Sequence, residues 1–443
     1  MNIFALSTGR GPSGIAIIRL SGKDSLRISK LITKKNDIKS KELNVCKFYD
    51  PSNETVIDEG LLLWSPAPNS YTGEDLAEFH THGSNAVISC FLRVLGEIEN
   101  CRLAEPGEFT KIAFQNNKMD LLEAESIGDL IHAETDLQRQ QAIKLIQGNA
   151  SNYYNSLREK LIKSLSYIEA KIDFAEEDLP ENIFKEVHSS IKQVHKNIKK
   201  IIEDQKIGEK IRDGFKISIL GDVNVGKSSL LNLLSKRDAA IVSEQEGTTR
   251  DVIETYLNVD GYPVILADTA GIRKAKNKVE KEGIRRAIKK AKDADLILIM
   301  IDSTKKTINK DLKKLINKDC ILVFNKSDLN KKIPKNEFKK NDQILISVKK
   351  NKNIEKLIKI IKEKLSKKFI KSSNILVTRE RHRVKLNFAL KEIDKFLKKD
   401  QTREIETAAE DLRLATRHLG SIVGKVDVEE ILGSIFNDFC IGK

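Results

Sequence analysis

The stretch that most constrains this chain is KISILGDVNVGKSSLL, residues 216–231. Ile217, Ile219 and Leu220 form a short apolar run suited to a buried strand, Gly221 interrupts it, and a helical pattern begins near Ser228. Between them lies GxxxxGKS, the pattern of a loop that binds phosphate. Its two glycines let backbone N–H groups turn inward on an anion, Lys227 has the reach and charge for β and γ phosphates, and Ser228 offers a hydroxyl to magnesium. The helix that follows adds its dipole. Asn224, Val225, Gly226 and Ser229 complete the set expected to surround the nucleotide.

At 443 residues the chain has room for roughly three domains, each with its own core. The longest apolar run, Leu296–Ile301, is far too short to span a membrane, and the opening MNIFALSTGRGPSG has neither a basic region before an apolar core nor an Arg-rich amphipathic pattern. A cytoplasmic protein without membrane partners is expected. The five cysteines are odd in number, scattered and without a CxxC pair, so reduced thiols and no structural zinc are expected. A formal charge of +14 favours an anionic partner such as RNA, but the lysines are spread along the whole chain and fit a solvated surface equally well.

From Ile3 to about Asn117, GIAIIRLSG, LNVCKFYD and GLLLWSP read as strands and Ser84–Glu99 as a helix, which predicts an α+β domain over residues 1–118. Its polar features are Arg19, Glu78, His80, His82 and the segment GEFTKIAFQNNKMDL at 107–121. His80 and His82 share one strand face, as zinc requires, but no third ligand is evident. Arg19 and Glu78 read as a salt bridge or as ligand contacts.

Asp120 and Glu123 have capping-box spacing, and from there to about Phe174 the pattern is helical. Leu157, Leu161, Leu165, Ile168 and Ile172 form one apolar stripe. AEEDLPEN at 175–182 breaks it, and Val187, Ile191, Val194, Ile198 and Ile202 form a second, which predicts two long antiparallel helices. Helical periodicity returns at about 377–397 and 405–419, and Asp427–Glu430 is read as the cap of a last helix. Helices on both sides of an inserted α/β unit point to a discontinuous α-helical domain, residues 119–210 and 371–443, around an insert at 211–370.

Within that insert GTTRD (247–251) follows the phosphate loop, VILADTAG (264–271) is a buried strand ending in Asp268 and Gly271, and LILIMID (296–302) is another. CILVFNKSD (320–328) sets Asn325, Lys326 and Asp328 at the C-terminal edge of a strand, where doubly wound sheets gather ligands. Asp328 suits the ring N–H and exocyclic amine of guanine, which adenine lacks in that arrangement, and Lys326 suits the base face. GTP is therefore the expected substrate. Ser347, Val348 and Lys349 occupy the place of the last purine-contacting loop. These motifs resemble the five-motif GTPase domain of the translation-factor class. Ile272 stands where small GTPases place a catalytic Gln, so water must be oriented from elsewhere.

The chain as a whole resembles the MnmE (TrmE) family of tRNA-modification GTPases. GEFTKIAFQNNKMDL, EGTTRD with DTAGIR, and the terminal FCIGK carry the resemblance. It implies an N-terminal tetrahydrofolate-binding domain that forms a homodimer, a split helical domain and an inserted P-loop GTPase domain. It further implies a potassium ion held by Asn224, Ser243, Gln245 and Thr248, magnesium at Ser228 and Thr249, and Glu280 orienting the attacking water. Glu244, Glu246, Gly247, Thr269 and Ala270 fall in the same nucleotide-contacting segments. Arg19, Glu78, Lys118 and Lys443 match folate-contacting positions, with the 5-formyl or methylene form as ligand, and Cys440 is implied to act in the modification. The implied partner is MnmG, a flavin- and NADH-using protein. With it the family adds an aminomethyl or carboxymethylaminomethyl group at carbon five of the wobble uridine of tRNA. A ribosome-assembly GTPase of the Era or EngA kind is the main rival reading, but neither a KH domain with its GXXG loop nor tandem GTPase domains are evident in the sequence. A dynamin-like membrane remodeller is the other, and no lipid-binding amphipathic face stands out.

Overall fold

The computed structural model describes residues 1–9, 11–174, 183–204, 206–222, 224–237, 254–267, 293–305, 307–308, 310–317, 319–369, 376–400, 403–426, 432, 435–436, 439 and 442. In chain order the first elements are β1 (Asn2–Leu6), β2 (Ser13–Ser21), α1 (Ser25–Thr33), β3 (Leu43–Tyr49), β4 (Val56–Ser65), β5 (Leu76–Gly83), α2 (Asn85–Glu97), β6 (Cys101–Leu103) and α3 (Glu108–Gln115). Helices α4 (Leu121–Ile131), α5 (Asp136–Ile146), α6 (Asn149–Asp173), α7 (Ile183–Ile202) and α8 (Ile207–Asp213) follow. Next come β7 (Phe215–Gly221), α9 (Lys227–Arg237), β8 (Glu254–Val259), β9 (Tyr262–Ala267), β10 (Leu296–Asp302), α10 (Lys310–Lys313), β11 (Cys320–Asn325) and β12 (Asp342–Leu345). The last helices are α11 (Ile354–Phe369), α12 (Glu380–Lys398) and α13 (Ile405–Val423).

The chain divides into two units, one of Met1–Gly128, Leu145–Glu177 and Thr402–Lys443, the other of Asp129–Lys144 and Asp178–Gln401. The first holds a mixed sheet of order β3-β4-β5-β2-β1-β6, antiparallel except where β6 joins β1. Alternation along β2 buries Ala16, Ile18 and Leu20 on the face that also packs Phe48, Phe79 and Phe91, and turns Ile17 and Arg19 to the other. In the same unit α6 and α13 pair, bringing Leu157, Leu161 and Ile168 together with Leu412, Ala415 and Leu419, all buried. Each buried Leu or Ile side chain contributes about 1.5–3 kcal/mol. Arg413 and Glu169 close the seam with a 2.8 Å ion pair.

The predicted capping box is formed: the Asp120 N–H donates to Glu123 and the Glu123 N–H to Asp120, each at 2.9 Å. The helical run that starts there is three helices rather than one. Thr135 and Gln138 cap α5, and Gly148, with φ +78°, opens α6. The last helix expected after Asp427–Glu430 lies largely outside the described residues.

The second unit is built on a sheet of order β12-β11-β10-β7-β9-β8, parallel except for the β8–β9 hairpin. β10 and β11 are buried along nearly their whole lengths, as central parallel strands covered on both faces must be. Beside it α7 pairs with α12. Its stripe of Val187, Ile191, Val194 and Ile198 is buried, as are Leu386, Ala389, Ile393 and Phe396 of α12. Arg383 of α12 fixes the start of the nucleotide-binding insert. Its guanidinium donates to Glu209 of α8 at 2.6 Å, to Asp204 at 2.9 Å and to the Ile202 carbonyl at 2.7 Å.

Candidate functional site

Strand β7 and helix α9 hold the phosphate loop between them, so its geometry follows from where β7 ends. Gly221 has φ +157°, and a Cβ there would collide with the Met300 carbonyl of β10. Gly226 has φ +102°, and a Cβ there would stand 2.5 Å from Asn325 Nδ2. Asn224 adopts the left-handed conformation, φ +61°, and is exposed at the loop's tip. Lys227 Nζ donates to the carbonyls of Gly221 and Asp222, both at 2.8 Å, which lays its ammonium across the loop. Ser228 is exposed in the first turn of α9. This cradle and its donors fit a nucleotide phosphate with magnesium.

The residues expected to read the base converge on the same edge of the sheet. Asn325, 4% exposed, donates from Nδ2 to the Val225 carbonyl at 2.8 Å and accepts at Oδ1 from the Val348 N–H at 3.1 Å. One side chain thus ties the phosphate loop to the loop after β12. Ser347 Oγ donates to Asp328 Oδ1 at 2.6 Å. That bond, with the positive charge of Lys349 and Lys350, holds the Asp328 carboxyl below its ordinary range, so it presents an ionised acceptor. Asn224, Gly226, Asn325, Lys326, Asp328 and Lys349 line a cleft of about 750 Å³, together with Ser229, Asn232 and Lys236 of α9. A second hollow, of about 560 Å³ along α11 and the β8–β9 turn, contains none of the motif residues.

Sequence reasoning missed Asp302. It ends β10 directly beside Asn325 in register and accepts from Lys326 Nζ at 2.6 Å. Burial works to raise its carboxyl, but the hydrogen bonds from Lys326 and Thr304 outweigh burial and leave it below its usual value. A carboxylate closing an apolar strand was the available signal. Ser243, Glu244, Gln245, Glu246, Gly247, Thr248, Thr249, Asp268, Thr269, Ala270, Gly271 and Glu280 lie outside the described residues, as do Cys440 and Lys443.

In the mixed sheet, Arg19 and Glu78 are cross-strand partners, and Arg19 donates from Nε at 3.0 Å and from its terminal nitrogen at 2.7 Å, both to Glu78 Oε1. The guanidinium lies 5.0 Å from the Tyr71 ring centroid and 5.6 Å from that of Phe109. Lys118 Nζ donates to the Pro68 carbonyl at 2.9 Å, in the same loop as Tyr71. Ser7, just past β1, donates to the Gly442 carbonyl at 2.9 Å, so the chain's tail is seated beside this sheet. His82 pairs with Asp58 at 2.8 Å, and among the described residues no group of three His, Cys, Asp or Glu side chains able to hold a metal ion occurs at the HxH pair or elsewhere.

Comparison with known proteins covers nearly the whole chain. Residues 2–118 match the model of the GTP-binding protein TrmE N-terminus, and residues 121–440 that of the MnmE helical domain. The tRNA modification GTPase MnmE of Pelagibacter ubique (strain HTCC1062) is 58% identical over 443 residues, 100% of both chains. Those of Rickettsia bellii (strain RML369-C) and Parvibaculum lavamentivorans are 43% and 41% identical, each alignment covering 100% of this chain and 99% of the relative. With a phosphate-loop cradle and end-to-end similarity of this order, the chain belongs to the MnmE (TrmE) family of tRNA modification GTPases.

Proposed function

We propose that this chain is a potassium-dependent GTPase that acts with MnmG to modify carbon five of the wobble uridine of tRNA, drawing a one-carbon unit from a tetrahydrofolate. The observation that supports this reading is the presence, in one chain, of Asn325, Asp328 and Ser347 bonded together at the sheet edge beside the phosphate loop and a separate Arg19–Glu78 pair beside aromatic rings. When bound, magnesium and potassium supply positive charge against the phosphates, and the folate supplies the one-carbon group. Lys227 anchors the β and γ phosphates, Ser228 and Thr249 hold magnesium, and Asp328 selects guanine. Asn224, exposed at the loop's tip, is assigned to potassium, with Ser243, Gln245 and Thr248 as the other positions. Glu280 orients water in place of the Gln that Ile272 replaces. Arg19, Lys118 and Lys443 take the carboxylates of the folate, Glu78 takes pterin N–H groups, and Cys440 serves the modification.

A homodimer is part of the same reading. Leu43 and Val45 of edge strand β3 are 59% and 62% exposed and lie opposite Leu63 and Leu61 on one sheet face, an apolar surface suited to a second copy. A cytoplasmic location fits a chain in which no described helix is long and apolar enough to cross a membrane. The test is GTP turnover by the purified protein in potassium and in sodium, with tRNA nucleosides from cells lacking the gene examined by mass spectrometry. Turnover is expected to need potassium, and the wobble uridine to be unmodified. Equal rates in both salts, or intact modification, overturns the reading.

A further inference from the structure

Glu78 and His80 stand two residues apart on β5, so their side chains leave the same face of the sheet. Arg19 donates from Nε and from one terminal nitrogen, both to Glu78 Oε1. Oε2 is the nearer oxygen to His80, whose Nε2 lies 4.0 Å away. That nitrogen is buried and has no hydrogen-bond partner among the described residues, although the side chain as a whole is 23% exposed. A buried ring nitrogen without a partner is costly to keep unless a ligand satisfies it. The face therefore offers, in a row, the two oxygens of Glu78, one of them already bonded by Arg19, and one imidazole nitrogen.

A 2-amino-4-oxo pyrimidine edge presents the complement: an exocyclic amine, a ring N–H, then a carbonyl oxygen. Glu78 accounts for the first two and leaves the third unread. We propose that His80 donates from Nε2 to the 4-oxo group of the pterin and so makes this site selective for 4-oxo over 4-amino pteridines. The inference rests on the folate reading given above and adds to it a residue that determines specificity. It also explains why a polar ring occupies a strand position whose cross-strand neighbours, Ile17 and Leu61, are aliphatic.

The experiment is calorimetry of the full chain with tetrahydrofolate and with tetrahydroaminopterin, which carries an amine in place of the 4-oxo group. Loss of one ligand-facing hydrogen bond corresponds to about tenfold in affinity. His80→Leu is expected to weaken tetrahydrofolate by that factor while leaving tetrahydroaminopterin within about twofold. His80→Gln keeps an N–H donor on a side chain of similar reach and is expected to restore the preference. If His80→Leu weakens both ligands equally, His80 only packs the site, and if it weakens neither, His80 makes no contact; both results overturn the inference. A wild-type protein that binds neither compound overturns the folate reading itself, an outcome distinct from the other two.

Discussion

Asp328 shows how much of the chemistry resides in single side chains and their immediate partners. Its carboxylate is aimed by the 2.6 Å bond from Ser347 and kept ionised, which suits the proposed acceptance of two guanine N–H groups. Asp328→Asn exchanges one acceptor for a donor and should move preference from guanine to xanthine nucleotides by more than about tenfold, because a donor is then left facing a donor. A competition assay with GTP and XTP checks this, and unchanged guanine preference removes the role. Asp328 was legible in the sequence because NKSD follows an apolar strand directly, so spacing encodes position. The partnership of Lys326 with Asp302 was not, because it depends on the parallel register of β10 and β11, which joins residues more than twenty positions apart. Asn325 was legible as a member of the motif, but its buried bonds to Val225 and Val348 were not, since motif spacing says nothing of which loops a side chain ties together.

Elements are harder to read than motifs because their ends depend on local chemistry. The run from Asp120 to Phe174 is continuous in apolar period, yet it divides at Thr135 and Gly148, where a side-chain cap and a left-handed glycine satisfy backbone groups that a longer helix would have paired internally. The stripes of α6 and α7 were legible as buried faces, but their partners α13 and α12 lie beyond the insert, and period alone cannot name them. Arg383 illustrates what such pairing requires. It is 11% exposed and serves Glu209, Asp204 and the Ile202 carbonyl together. Arg383→Met leaves two carboxylates without their cation and is expected to destabilise the second unit by about 3–5 kcal/mol. Arg383→Lys should recover only part, since an ammonium cannot span three acceptors in the same fork. Urea unfolding monitored by circular dichroism measures both, and a Met variant as stable as the parent denies the network its role.

For the whole molecule, the sequence conveyed the order of parts better than the surfaces through which copies meet. Alternation in β3 and β4 points Leu43, Val45, Leu61 and Leu63 to one face, but whether an apolar face is covered by the chain's own helices depends on long-range packing that no local pattern records. Here Val45 is 62% exposed while its neighbour Cys46 is buried, so the opposite face carries the core and this one is free to meet a partner. If the homodimer forms there, Val45→Glu places a charge in each half of a two-fold interface, so every dimer carries two. At so exposed a position the substitution should change monomer stability by no more than about 0.5 kcal/mol, and loss of association is therefore separable from loss of fold. Sedimentation equilibrium is expected to show the parent as a dimer and the variant as a folded monomer. On the proposed reading, in which potassium-dependent turnover needs two nucleotide-binding domains to meet, GTP turnover should fall with it. A variant that stays dimeric moves the interface elsewhere, whereas a monomeric variant with undiminished turnover separates hydrolysis from assembly.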